Sequence, residues 1–143
     1  MAINRSSSAH WEGDLKNGNG RFTLGSGAFS GPYTFATRFE SGDNGTNPED
    51  LIAAAHASCF AMAFSNMLAR EGYTPDAVDV TATVTLDADA GKITRSHLVC
   101  EGRVPGIDDA TFQDIGKQAK DGCPISKTLG AVDEITLDAT LVG

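Results

Sequence analysis

Hydrophobic positions in the first forty residues recur at short, roughly alternating intervals broken by glycine and asparagine. "SAHWEGDL" reads as a strand, "NGNG" as a turn and "RFTLGSGAF" as a second strand. "YTFATRFE" reads as a third, with Tyr33, Phe35, Thr37 and Phe39 on one face. An antiparallel meander is the simplest arrangement of these pieces. After the glycine-rich loop "SGDNGTNPED" the pattern turns helical. Asn47 suits a cap, Pro48 the first helical position, and Glu49 and Asp50 the positive end of the dipole. This helix is expected from about Pro48 to Glu71, stopping at Gly72.

Two β-branched segments follow, "AVDVTATVTLDA" and "GKITRSHLVCEGRV", joined by the turn "DADAG" as a hairpin. "DDATFQDIGKQAKDG" is amphipathic at helical spacing, with Phe112, Ile115 and Ala119 on one stripe. "CPISKTLG" predicts a short helix with Cys123 at its cap and Pro124 first, and "EITLDATLV" a closing strand. The order β-β-β-α-β-β-α-α-β predicts an α+β fold, and 143 residues suit one domain, 1–143. Between Leu51 and Leu68 the first helix is apolar almost all round, interrupted by His56, Ser58, Ser65 and Asn66. One sheet covers one face, so the other face calls for a partner, and a homodimer through this helix is expected.

Composition narrows the partners. The formal net charge of −8 repels polyanions and anionic membranes, and the scattered Lys and Arg residues form no basic patch, so neither nucleic acid nor membrane is expected as a partner. The sequence opens without an apolar signal core, and no later run is expected to approach the roughly 18 uncharged apolar residues of a membrane span, which gives a soluble, cytoplasmic expectation. Three cysteines, Cys59, Cys100 and Cys123, are too few for a disulfide scaffold; they are packing residues, ligands or reactive thiols.

Cys59 lies mid-helix among apolar residues, where burial raises the thiol pKa and the helix dipole has faded. A reactive Cys59 therefore requires a cation from elsewhere in the fold. Arg38, near the end of the aromatic strand, is a candidate, and Glu49 could hold its guanidinium in a bidentate pair. Both also have plain readings, as an edge-strand charge and a first-turn carboxylate. Ten helical residues put Glu49 about 15 Å along the axis from Cys59 and about 80° around it. One arginine cannot easily reach both in one subunit, so an Arg38–Glu49 pair serving Cys59 would come from the other protomer. Cys123 precedes Pro124 at a helix N-terminus, where free N–H groups favour a thiolate and the side chain can be exposed. Cys100, on a strand, reads as packing. Two rival chemistries use the same residues. His56 and Cys59, with Cys123 or His97, could form a zinc site, and His56 could activate Cys59 for acyl transfer.

The stretches "AHWEGDLKNGNG", "TRFE", "GTNPEDLIAAAHASCFAMA", "VPGID" and "AKDGCPIS" together resemble the OsmC/Ohr thiol peroxidases, the OsmC branch in particular, over essentially the whole chain. The resemblance implies an OsmC-like fold, with antiparallel sheets around a long central helix in an intertwined homodimer. It implies reduction of organic hydroperoxides, and of hydrogen peroxide less well, with no metal and no bound cofactor. Cys59 matches the peroxidatic cysteine and Cys123 the resolving one, joined by a Cys59–Cys123 disulfide after turnover. Arg38 and Glu49 match the activating arginine and its carboxylate. The implied reductant is a dithiol, with lipoylated proteins as the usual donors. Phe60, Met62 and Ala63 would then offer the hydroperoxide an apolar surface. The alternative kept beside this is a thiol redox sensor or zinc-binding protein without peroxide turnover. Neither the preferred hydroperoxide, nor the physiological reductant, nor a role for Cys100 follows from these residues.

Overall fold

The computed structural model describes residues 1–40 and 44–143; the glycine-rich loop expected before the long helix lies partly outside them, at positions 41–43. The chain divides into two compact units, Met1–Leu51 and Ile52–Gly143.

In the first unit, β1 (Ser7–Glu12), β2 (Asn19–Leu24) and β3 (Ser30–Tyr33) pair antiparallel in that order, as the alternation predicts. The β1–β2 turn is held by Asp14, whose carboxylate accepts the backbone N–H groups of Lys16 and Asn17 at 3.0 Å each. Phe22 is the buried side chain, packed beside the Phe29 and Tyr33 rings. The third piece differs from the expectation. Its strand ends at Tyr33, and Phe35–Phe39 forms a short helix, α1. The cause is a reciprocal cap: Thr34 Oγ1 accepts from Thr37 N, and Thr34 N donates to Thr37 Oγ1. Phe35 and Phe39, four residues apart in the sequence, become a tilted ring pair one helical turn apart, with centroids 4.9 Å from each other. Arg38 is therefore helical and not on a strand.

The long helix α2 runs Pro48–Arg70, and its first turn is counted with the first unit. Asn47 Oδ1 caps it by accepting from Asp50 N at 2.8 Å. It ends where Gly72 takes φ +91° and Tyr73 N donates to Leu68 O. By length and composition alone the 23-residue α2 could cross a membrane, contrary to the expectation that no run would. Length and composition do not separate a span from a core helix; here His56, Phe60, Phe64 and Leu68, four apart, form a fully buried stripe.

That stripe covers the sheet of the second unit. β4 (Ala77–Asp87) and β5 (Lys92–Arg103) form the expected antiparallel hairpin. β6 (Glu134–Leu141) adds to β5 in parallel, so the second sheet is mixed where antiparallel pairing alone was expected. A parallel neighbour needs a crossover. It is supplied by α3 (Asp109–Gly122), α4 (Pro124–Thr128) and a 3-10 turn, Leu129–Ala131. Asp108 caps α3 through Thr111 N at 2.7 Å, and Phe112, Ile115 and Ala119 face inward as the periodicity predicts. Phe60, Phe64, Leu98, Cys100 and Phe112 fill the core, with the Phe64 and Phe112 centroids 5.1 Å apart. Each such large side chain contributes about 1.5–3 kcal/mol by leaving water.

Candidate functional site

The four residues singled out in the sequence fall into two pairs, one in each unit. In the first unit, α1 carries Arg38 and the opening turn of α2 carries Glu49. Arg38 Nε donates to Glu49 Oε1 and Oε2 at 3.2 Å each, and Nη2 donates to Oε1 at 2.7 Å. This is the expected bidentate pair, with the carboxylate side chain 12% exposed and the guanidinium side chain 37% exposed. Asn47 ties the two helical segments together, its Nδ2 donating to Thr37 O at 3.1 Å. The guanidinium also stands 5.3 Å from the Phe39 centroid. Beside it opens a pocket of about 270 Å³, walled by Trp11, Leu15, Tyr33, Phe35 and Phe39. Periodicity did not reveal this pocket, because two of its four aromatic residues, Phe35 and Phe39, were expected on a strand and stand on a helix.

In the second unit, Cys59 is partly exposed on α2 in a shallow apolar groove of about 840 Å³, among Ala55, Met62, Ala63, Met67, Pro124 and Ile125. Met62 is 75% exposed, but Phe60 is fully buried in the core and lends nothing to the groove, contrary to the expectation. The reason is helical phase: Phe60 shares the stripe of His56 and Phe64, one residue round from Cys59.

Cys123 sits between α3 and α4 and serves both. Its N–H donates to Ala119 O at 3.0 Å, closing α3, and its Sγ accepts from Ser126 N at 3.4 Å, capping α4. The side chain is fully buried, not exposed as its cap position suggested. Cys59 and Cys123 lie close enough for each thiol to shift the ionisation of the other. Burial pushes the Cys59 thiol up. The Ile125 N–H works against this, while the hydrogen bond to Cys123 and the charge on that sulphur raise it further. Burial also acts to raise Cys123, yet its thiol ends below the ordinary value. The Ser126 hydroxyl, the Ser126 N–H, the Cys59 S–H and the Ile125 N–H all stabilise its anion. Within this unit, then, Cys123 is the more readily ionised of the two thiols.

Sequence reasoning missed the serines around His56. His56 Nδ1 meets Ser96 Oγ at 2.6 Å and Nε2 meets Ser126 Oγ at 2.8 Å, all three residues buried. Both ring nitrogens are engaged by serines, so His56 is neither poised as a metal ligand nor as a base toward Cys59. Among the described residues, no three His, Cys, Asp or Glu side chains converge as a metal site would need. Cys100 packs in the core on β5, its thiol pushed up to about 11 by burial and by Asp79 and Glu101, and this fits the packing reading.

The OsmC-like protein family model matches residues 41–138. Peroxiredoxin OsmC of Escherichia coli (strain K12) is 54% identical over 144 residues, covering 99% of each chain. An organic hydroperoxide resistance protein of Xanthomonas axonopodis pv. citri is 33% identical over 68% of each. An OsmC-like protein from Mycoplasma pneumoniae has the same fold, with a TM-score of 0.76 at 16% identity over 100% of both chains. The chain belongs to the OsmC-like protein family.

Proposed function

We propose that this protein is a thiol peroxidase that reduces organic hydroperoxides to alcohols, with Cys59 as the attacking thiol and Cys123 as the resolving one. The observation that carries the assignment of residues is the nearness of two thiols, one partly exposed in an apolar groove and one buried with its pKa held below the ordinary thiol value. The names of the relatives, a peroxiredoxin and an organic hydroperoxide resistance protein, supply the reaction class.

The Cys59 thiolate attacks the terminal peroxide oxygen; an S–O bond forms, the O–O bond breaks, and the alkoxide leaves and takes a proton. Cys59 becomes a sulfenic acid. Cys123 attacks that sulphur, the S–S bond forms, and hydroxide leaves to become water. A dithiol, a lipoylated protein in our reading, returns both thiols by exchange. The Cys59 surroundings raise its pKa, so the first step calls for an outside cation. We assign that role to Arg38, held by Glu49 and contributed across a homodimer interface. The exposed α2 stripe of Ala54, Ser58, Met62 and Asn66 and the apolar groove beside it are consistent with such an interface. Hydrogen peroxide, without an apolar tail for the groove, is the poorer substrate. Residues 1–143 act in this reading as a single OsmC-like domain, in the cytoplasm, where thiols stay reduced.

The test is turnover of cumene hydroperoxide with a dithiol, comparing the native protein with Cys59→Ser and Cys123→Ser. The expected result is native turnover, no activity in Cys59→Ser, and stalling with overoxidation in Cys123→Ser. Oxidation of Cys59 without turnover by small or lipoylated dithiols would point instead to a redox sensor.

A further inference from the structure

The mechanism above leaves a buried group unused. From β5 to α4 runs a chain of four side chains: Ser96 Oγ, 2.6 Å from His56 Nδ1; His56 Nε2, 2.8 Å from Ser126 Oγ; and Ser126 Oγ, 3.4 Å from Cys123 Sγ. Ser96, His56 and Cys123 are fully buried and Ser126 nearly so. A serine hydroxyl has one proton, and a neutral imidazole has one N–H and one acceptor nitrogen. The chain can therefore be ordered in only two directions.

In one, Ser96 donates to Nδ1, Nε2–H donates to Ser126, and the Ser126 hydroxyl donates to the sulphur. In the other, Cys123 S–H donates to Ser126, Ser126 donates to Nε2, and Nδ1–H donates to Ser96. The second direction strands the Ser96 proton, because its hydroxyl meets no other partner among the described residues. A buried donor without an acceptor is costly, so the first direction is preferred, and it ends with a hydroxyl proton aimed at the Cys123 sulphur, which favours the anion of that thiol over its neutral form. Burial holds His56 below the ordinary histidine pKa, in keeping with the neutral ring that this ordering requires.

We propose that His56 is a positioning residue of the resolving step: through Ser126 it aims a hydroxyl proton at Cys123 Sγ and keeps that sulphur an anion ready to attack the Cys59 sulfenic acid. The proposal rests on the reading of Cys123 as the resolving thiol. With a thiolate, S–S bond formation and departure of hydroxide proceed without a prior deprotonation. A neutral thiol must first lose its proton inside a closed site. The orientation comes from β5, so the strand sets the charge of a residue in the crossover.

Two measurements test this separately. The first uses no peroxide: thiolate absorbance at 240 nm against pH, in a background of Cys59→Ser and Cys100→Ala so that Cys123 alone titrates. Adding Ser126→Ala or His56→Gln is expected to move the titration to higher pH, and Ser126→Thr, which keeps the hydroxyl, to restore it. The second is rapid mixing with one equivalent of cumene hydroperoxide, resolving sulfenic acid formation from disulfide formation. Ser126→Ala is expected to slow the disulfide phase relative to the sulfenic phase by about tenfold or more, the scale of one lost hydrogen bond to a charged group. Sulfinic acid at Cys59 then accumulates under excess peroxide. An unmoved titration, or equal slowing of both phases, overturns the positioning role. A native protein whose Cys59 is untouched by peroxide overturns the function itself, and the titration still decides whether His56 and Ser126 hold the anion.

Discussion

Replacing His56 by leucine exchanges a fully buried imidazole for an apolar side chain that can neither accept from Ser96 nor donate to Ser126. The Ser96 hydroxyl loses its partner, at about 1–3 kcal/mol for an orphaned buried group, and Ser126 loses a donor, at about 0.5–1.5 kcal/mol. The sum, about 1.5–4.5 kcal/mol, is a large share of the 5–15 kcal/mol typical of a domain. With a urea m-value of about 2 kcal/mol/M, the unfolding midpoint falls by about 1–2 M. The assay is urea denaturation followed by circular dichroism under reducing conditions, at pH 7.5. A second variant makes the reasoning sharper: combining His56→Leu with Ser96→Ala removes the orphaned hydroxyl, and the pair is expected to be more stable than His56→Leu alone. A His56→Leu midpoint matching the native one, or a pair showing the full sum of the two single losses, would refute the account of a closed, mutually satisfied network.

The same histidine gives stability a pH dependence. Its folded-state pKa is depressed by burial, so its contribution is intact above the ordinary value of 6.5 and declines as pH falls below that, while the unfolded chain takes up the proton. Native protein is expected to lose urea stability below about pH 6.5 by up to 1.36 kcal/mol per pH unit more than His56→Leu does. Gly102→Ala places a Cβ 2.5 Å from Phe112 Cε2 and is expected to cost about 1–3 kcal/mol by overpacking, with Phe112→Leu recovering part of the loss in thermal unfolding. Thr34→Ala removes the α1 cap, costs about 1 kcal/mol, and is expected to slow peroxide reduction by loosening Arg38; an unchanged rate separates the cap from catalysis. Cys100→Ala is expected to leave the peroxidase rate unchanged in the same dithiol assay, since its thiol packs in the core.

What could be read beforehand was whatever local chemistry controls. Asn47, Pro48 and Gly72 mark the ends of α2 within a residue or so, and Cys123–Pro124 marks α4. The Arg38–Glu49 pair was also legible, although Arg38 was placed on the wrong element. The alternation of Tyr33, Phe35, Thr37 and Phe39 fits a strand, while Phe35 and Phe39 equally fit one helical turn. The Thr34 to Thr37 spacing is a capping signal with threonine where glutamate or glutamine is usual, and it decided the matter. Burial of Cys123, the parallel placement of β6, and the Ser96–His56–Ser126 chain depend on residues far apart in sequence that only the fold brings together. No window of local periodicity contains them.

The parallel placement of β6 also sets an order of assembly. The β4–β5 hairpin closes over the turn at 88–91, a local event, whereas β6 finds β5 only after the crossover at 104–133 has been made. Cys59 precedes all of this and Cys123 lies within the crossover. During synthesis Cys59 thus emerges first, and Cys123 is seated beside it only when the crossover docks.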